Sequence, residues 1–208
     1  MKAKRVKKLD PQTALAENAA RIIGVRVEEL RSFAPAALEA GSVDEQHDMR
    51  IAAKRLRYVL ETTEFCFGDA GRVARRRARD LQDILGELHD CDVMLPRIDA
   101  HVASLREADA KALCERAGDA PDLDPRLAAQ APHRTAYRGL EVLAAHLVAR
   151  RRLLFDRFVE FWAEQERAGT WEQLARRAQR VLRQAKAKRK AGEVDRQAGR
   201  SEAVAQAS

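Results

Sequence analysis

The sequence predicts an all-α protein, an antiparallel four-helix-type bundle of long basic amphipathic helices. Three observations carry this expectation. Apolar residues recur at i, i+3, i+4 and i+7 through most of the 208 residues, the period of one helix face. Ten glycines, six prolines and 5% aromatics are too few for a turn-rich β sandwich. No run of alternating polarity reaches convincing strand length. Hydrophobic residues make up 46% of the chain, so it can bury a core.

The first helix is expected from Pro11 to Phe33, on Leu15, Ala19, Ile22, Ile23 and Leu30, with Asp10 as N-cap and a break at Ala34-Pro35. Ser42 or Asp44 caps the second, Val43 to Phe67, and Gly68-Asp69-Ala70-Gly71 ends it. The third spans Arg72 to Val102 on Leu81, Ile84, Leu85 and Leu88, with Pro96 kinking or splitting it. Gly118 to Pro132 holds three prolines and forms the internal loop. His133 to Ala168 is the fourth helix, and a short one follows from Thr170 to Lys186. The expected organisation is a basic tail over 1–10, a bundle over 11–186 and a disordered polar tail over 187–208.

Net charge is +7, which suggests an anionic partner without naming one. It is unevenly spread. Lys2 to Lys8 carries five bases, His47 to Arg79 nine bases against four acids, and Arg176 to Lys190 eight bases and no acid. Asp80 to Pro125 carries twelve acids against four bases. Both basic tails are expected to be solvated, with an electrostatic clamp on a polyanion as the functional alternative. Cys66, Cys91 and Cys114 form no CxxC pair, which fits a reducing compartment. No secretory leader or run of about 18 apolar residues is evident, so the expected location is cytoplasmic.

The stretch His47 to Tyr58 is the most informative. At about 100° per residue, His47, Arg50, Lys54 and Arg57 share a sector of about 80°. Met49, Ala52, Leu56, Val59 and Leu60 supply the opposite, core face. Like charges at this spacing repel by a few tenths of a kcal/mol per pair, and Asp48 is the only acid in the stretch. The third helix repeats the pattern, with Arg72, Arg75, Arg76 and Arg79 opposite Ala74, Ala78, Leu81, Leu85 and Leu88. Two such rows form a groove able to hold phosphates by charge-assisted hydrogen bonds, although a basic face can equally be only solvated.

The string His47-x-x-Arg50-x-x-x-Lys54-Arg55-Leu56-Arg57-Tyr58, followed by Leu81-Gln-Asp-Ile-Leu85-Gly86-Glu-Leu-His89-Asp90-x-Asp92-Val93, resembles the CHAD family, the conserved histidine α-helical domain. The resemblance spans Thr13 to Ala168. It implies a helical bundle whose His, Lys and Arg residues bind inorganic polyphosphate, in members that associate with polyphosphate granules. On that resemblance His47, Arg50, Lys54, Arg55, Arg57, Arg72, Arg75, Arg76 and Arg79 contact the polymer. Asp90 and Asp92 orient basic side chains through salt bridges, or are plain solvated caps. Full CHAD domains contain two similar halves, whereas one clear motif copy occurs here, with a diluted echo from Ala131 to Leu140. The chain therefore reads as a half-length or compact variant, and two copies are expected to pair as a homodimer that rebuilds the missing half.

Weaker signals stay structural. The dipeptides His47-Asp48 and His89-Asp90 lack the further ligands of a metal phosphohydrolase. Arg151 falls in phase with Leu140, Leu147, Leu154 and Phe158, so it pairs with an acid, sits at a helix break or faces an anion. Arg150, Arg152 and Arg157 extend the cationic surface. His101, His133 and His146 read as surface or packing residues, and Trp162 and Trp171 as core. With no nucleophile, metal cage or carboxylate pair, the expected function is non-enzymatic, needing no cofactor and no metal. The rival reading is a non-specific nucleic-acid-binding protein using the same basic surface.

Overall fold

Amphipathic spacing produces five α-helices and two short 3-10 turns in the computed structural model, which describes residues 3–206, with side chains through Gly192. No strand occurs among the described residues, in line with the all-α expectation. The ends of the two expected tails, residues 1–2 and 207–208, lie outside the described residues. The helices are α1 (Leu15–Ala37), α2 (Val43–Thr63), α3 (Asp69–Ala117), α4 (Ala136–Ala168) and α5 (Thr170–Gln206). The chain divides into two compact units, Met1–Asp83 with Val159–Ser208, and Ile84–Phe158.

In the first unit α1 packs on α2 and on α5. Ile23 and Leu30 of α1, Met49, Leu56 and Leu60 of α2, and Leu174 of α5 are fully buried. Trp162 and Trp171 are buried and stacked, ring centroids 6.0 Å apart, as core residues should be. Leu15, by contrast, is 57% exposed and only opens the helix.

Several boundaries differ from the sequence reading. Asp10 does not cap α1; its Oδ1 accepts from the Gln12 amide at 2.8 Å in a turn that precedes the helix. Pro35 does not end α1, because it removes one amide donor in the last turn while Leu38 N still donates to Ala34 O at 3.1 Å. The N-terminal segment is not simply solvated: Lys4 N donates to Glu29 Oε1 at 3.1 Å, and Arg26 Nη2 donates to Lys4 O at 2.9 Å. Helix α5 continues past Lys186 to Gln206 where a disordered tail was expected. That segment contains no proline and is rich in Ala, Arg, Lys, Glu and Gln, so local propensity favours helix even without an apolar face.

The turn between α2 and α3 has little room. Gly68 has φ +61°, which ends the 3-10 turn Glu64–Cys66 in the left-handed region. Gly71 then passes so close that a Cβ there would lie 2.6 Å from the Glu64 carbonyl oxygen.

In the second unit α3 runs as one helix past Pro96 and beyond the expected end at Val102. Leu85, Leu88, Cys91 and Ile98 are buried on α3, and Leu147, Leu154 and Phe158 on α4. The loop joining them is anchored by Asp109, which is buried. It accepts from His133 N at 3.0 Å and Tyr137 OH at 2.8 Å, and its Oδ1 lies 2.7 Å from His133 Nδ1. Burial pushes the Asp109 carboxyl up, but the bonds from Tyr137 and His133 outweigh it and hold it below its ordinary value.

Two measurements check these constraints. Gly71→Ala must move a backbone carbonyl, so it should lower stability by about 1–3 kcal/mol. Gly86→Ala meets nothing within 4 Å and should be neutral or stabilising by up to about 1 kcal/mol in denaturant melts. Because Asp109 is depressed in the folded state, its contribution holds above the ordinary carboxylate pKa and is lost as pH falls through the folded value. Amide exchange in residues 119–135 of the native chain, corrected for intrinsic rates, should therefore stay slow at neutral pH and quicken below about pH 4. In Asp109→Asn it should already be fast at neutral pH.

Candidate functional site

Helix α2 separates two faces as its sequence demands. Met49, Ala52, Leu56 and Leu60 are fully buried, and Val59 is half-buried. His47, Arg50, Lys54 and Arg57 are half-buried on the other side. Arg50 has no ion pair among the described residues, and its Nε is shielded from solvent without a hydrogen-bond partner there. Lys54 also lacks an acid partner among the described residues. Its Nζ lies 5.7 Å from the Tyr58 ring centroid, and Arg57 Cζ lies 4.7 Å from the same ring. Tyr58, itself exposed, thus holds two neighbouring cations by its negative ring face and offsets part of their repulsion. The sequence reading quoted Tyr58 in the motif without assigning it this role. Glu61 Oε1 lies 3.6 Å from Arg57 Nε, but the acid is exposed and the pair weak.

Arg55 is a correction. It was grouped with the phosphate-binding residues, yet its Nη1 donates to Glu29 Oε1 at 3.0 Å, and Glu29 is buried. The same carboxylate accepts from Arg26 and from the Lys4 amide. Arg55 therefore ties α2 to α1, and drawing it onto a ligand would leave a buried carboxylate short of a partner. The sequence reading missed Arg26 and Glu29. Their available signal was an opposite-charge i, i+3 pair lying among the core positions of α1, where unpaired charges do not belong.

The row on α3 differs from its expected form. Arg72 pairs with Asp69, Arg75 Nε donates to Glu64 Oε2 at 2.5 Å, and Arg79 lies 3.8 Å from Asp83. Arg76 alone of the four has no acid partner among the described residues. The acids one turn away, and Glu64 from the 3-10 turn, largely neutralise a row that was read as purely cationic. These partners are partly or wholly exposed, so each pair is worth little and an incoming anion can replace the acid cheaply.

Asp92 and Asp90 lie in the second unit. Asp92 Oδ1 accepts from Arg151 Nε at 2.5 Å, which settles Arg151 as an acid-paired residue. Asp92 therefore orients Arg151. Asp90 is exposed and forms no ion pair among the described residues. Arg150, expected to extend the cationic surface, pairs with Glu87. His133 is a packing residue through Asp109.

Helix α5 carries further cations. Arg177, Arg180, Arg183 and Lys186 have no acid partner among the described residues, whereas Arg176 pairs with Glu172. Arg189 reaches back to Glu17 on α1. Burial pushes the Glu17 carboxyl up, and the bonds from Arg189 and Arg21 outweigh it, so its pKa lies below the ordinary value.

The fold and the row on α2 define an all-α protein that presents fixed cations from helices instead of loops. The family model described as CHAD domain matches residues 2–99, just under half of the chain, so this segment is similar to a CHAD domain. The matched segment holds α1, α2 and the first part of α3, including every expected phosphate-binding residue. No curated protein and no solved structure matches the chain. No helix among the described residues is long and apolar enough to cross a membrane.

Glu29→Gln should destabilise the chain by about 3 kcal/mol or more, since it strips a buried carboxylate from Arg26 and Arg55. Glu61→Gln, which touches only an exposed pair, should change stability by less than about 1 kcal/mol. Equal effects in denaturant melts would remove Glu29 from its central place.

Proposed function

We propose that this protein binds inorganic polyphosphate through the cationic face of α2, as a non-enzymatic module acting in the cytoplasm at polyphosphate granules. The observation that carries the reading is the pairing pattern. Arg50 and Lys54 are offered without an acid partner among the described residues, beside Arg57 on the shared Tyr58 ring. A helix fixes their spacing, so successive phosphates meet cations whose positions are set before binding. Arg72, Arg75, Arg76 and Arg79 extend the face by exchanging exposed acids for phosphate, and Arg55 stays in its structural pair. The CHAD-domain match over residues 2–99 supports the choice of polyphosphate among polyanions.

Affinity in this reading comes mainly from counterion release and falls steeply with salt. Non-specific nucleic-acid binding is the rival, favoured by the exposed cations of α5. Base reading is disfavoured because no recognition-helix motif and few stacking aromatics occur.

The deciding measurement is a competition titration of labelled long-chain polyphosphate against duplex DNA, RNA and heparin at two salt concentrations. Polyphosphate should win at equal phosphate concentration. Arg50→Glu with Lys54→Glu should weaken polyphosphate binding at least about tenfold and flatten the salt dependence, with helicity by circular dichroism unchanged. Retained affinity in that double variant, or equal competition by all polyanions, overturns the reading.

A further inference from the structure

Helix α4 keeps an apolar stripe that its own chain does not cover. Its inward side is Leu147, Leu154 and Phe158. On the opposite side Val142 and Leu153 are 64% and 71% exposed, and Ala145 and Ala149 between them are exposed as well. At about 100° per residue these four share a sector of about 80°. Single exposed leucines are ordinary, but a straight apolar line along one helix is not.

The ends of this line carry opposite charges. Arg138 and Asp156 lie in the same sector, both exposed, and neither has an ion pair among the described residues. Their positions are symmetric about residue 147, as are those of Ala145 and Ala149, and Val142 and Leu153 are nearly so. A sequence with that symmetry complements itself when reversed.

We propose that this face of α4 pairs antiparallel with the same face of a second copy, about a twofold axis near residue 147. Ala145 then meets the partner's Ala149, and these small side chains let the helix axes approach to about 8 Å. Val142 packs beside the partner's Leu153. Arg138 pairs with the partner's Asp156, and each contact occurs twice because a twofold interface is isologous. A parallel arrangement would set arginine on arginine and aspartate on aspartate, so the end charges select the antiparallel one. The contact lies wholly in the unit Ile84–Phe158. It rests neither on the polyphosphate reading nor on the expectation that two chains rebuild a missing half.

The test is the solution mass of the full chain by sedimentation equilibrium, under reducing conditions because Cys114 is exposed. A contact this small is a weak one, so loading concentrations should span about 1 µM to several hundred µM. The wild-type mass should rise from 23.3 kDa toward twice that value. Val142→Glu with Leu153→Glu should hold it at one chain throughout. Arg138→Asp faces an acid with the partner's Asp156 and should raise the dissociation constant at least tenfold. Arg138→Asp with Asp156→Arg restores both pairs and should return it to near the wild-type value, a recovery that a folding defect would not produce. A wild-type mass of one chain at every concentration, a dimer indifferent to the two glutamates, or a swap that fails to restore association would overturn the proposal.

Discussion

Glu29 sits buried in the first unit and accepts hydrogen bonds from three directions: Arg26 on its own helix, Arg55 on α2 and the backbone amide of Lys4. Arg26 in turn holds the Lys4 carbonyl. One carboxylate thereby joins the N-terminal segment, α1 and α2. A buried charge is tolerated only when it is paired and hydrogen-bonded, and here the acid and its two guanidiniums satisfy that condition together. The orientation of α2 against α1 depends on it. Once the Arg55 side of α2 is drawn onto α1, His47, Arg50, Lys54 and Arg57 are left on the remaining polar side of the helix.

The pairing of the cations sorts them by what a ligand could take. Arg55 is committed to a buried acid. Arg72, Arg75 and Arg79 are paired with exposed or half-exposed acids and can trade them at little free-energy change. Arg50 and Lys54 have no acid to trade among the described residues. A count of basic residues treats all of these alike, and in the proposed reading the difference between them decides where a polyanion would gain most.

The second unit is held differently. Its two long helices carry cross-helix ion pairs, Arg150 with Glu87 and Arg151 with Asp92, beside a modest apolar core. The acidic surplus of α3 is thus partly spent on arginines of α4. Asp109 supplies the third tie by closing the loop through His133 and Tyr137. The helix face turned away from these contacts is the one left apolar and exposed.

The sequence by itself determined the helical class, the core faces of α2 and α3, the side of α2 that carries His47, Arg50, Lys54 and Arg57, and the likeness of its first half to a CHAD domain. All of these follow from periodicity within one segment or from short motifs, which are local properties. Helix ends were less legible where the deciding effect was weak. Pro35 and Pro96 remove single hydrogen bonds from helices that persist around them, and the polar run after Lys186 is helical by propensity and is tied to α1 through Arg189 and Glu17. Only the tertiary structure decided which charges are paired. Arg55 belongs to Glu29, Arg151 to Asp92 and Arg75 to Glu64 because folding brings together residues distant in sequence, and an ion pair's worth depends on the burial that results.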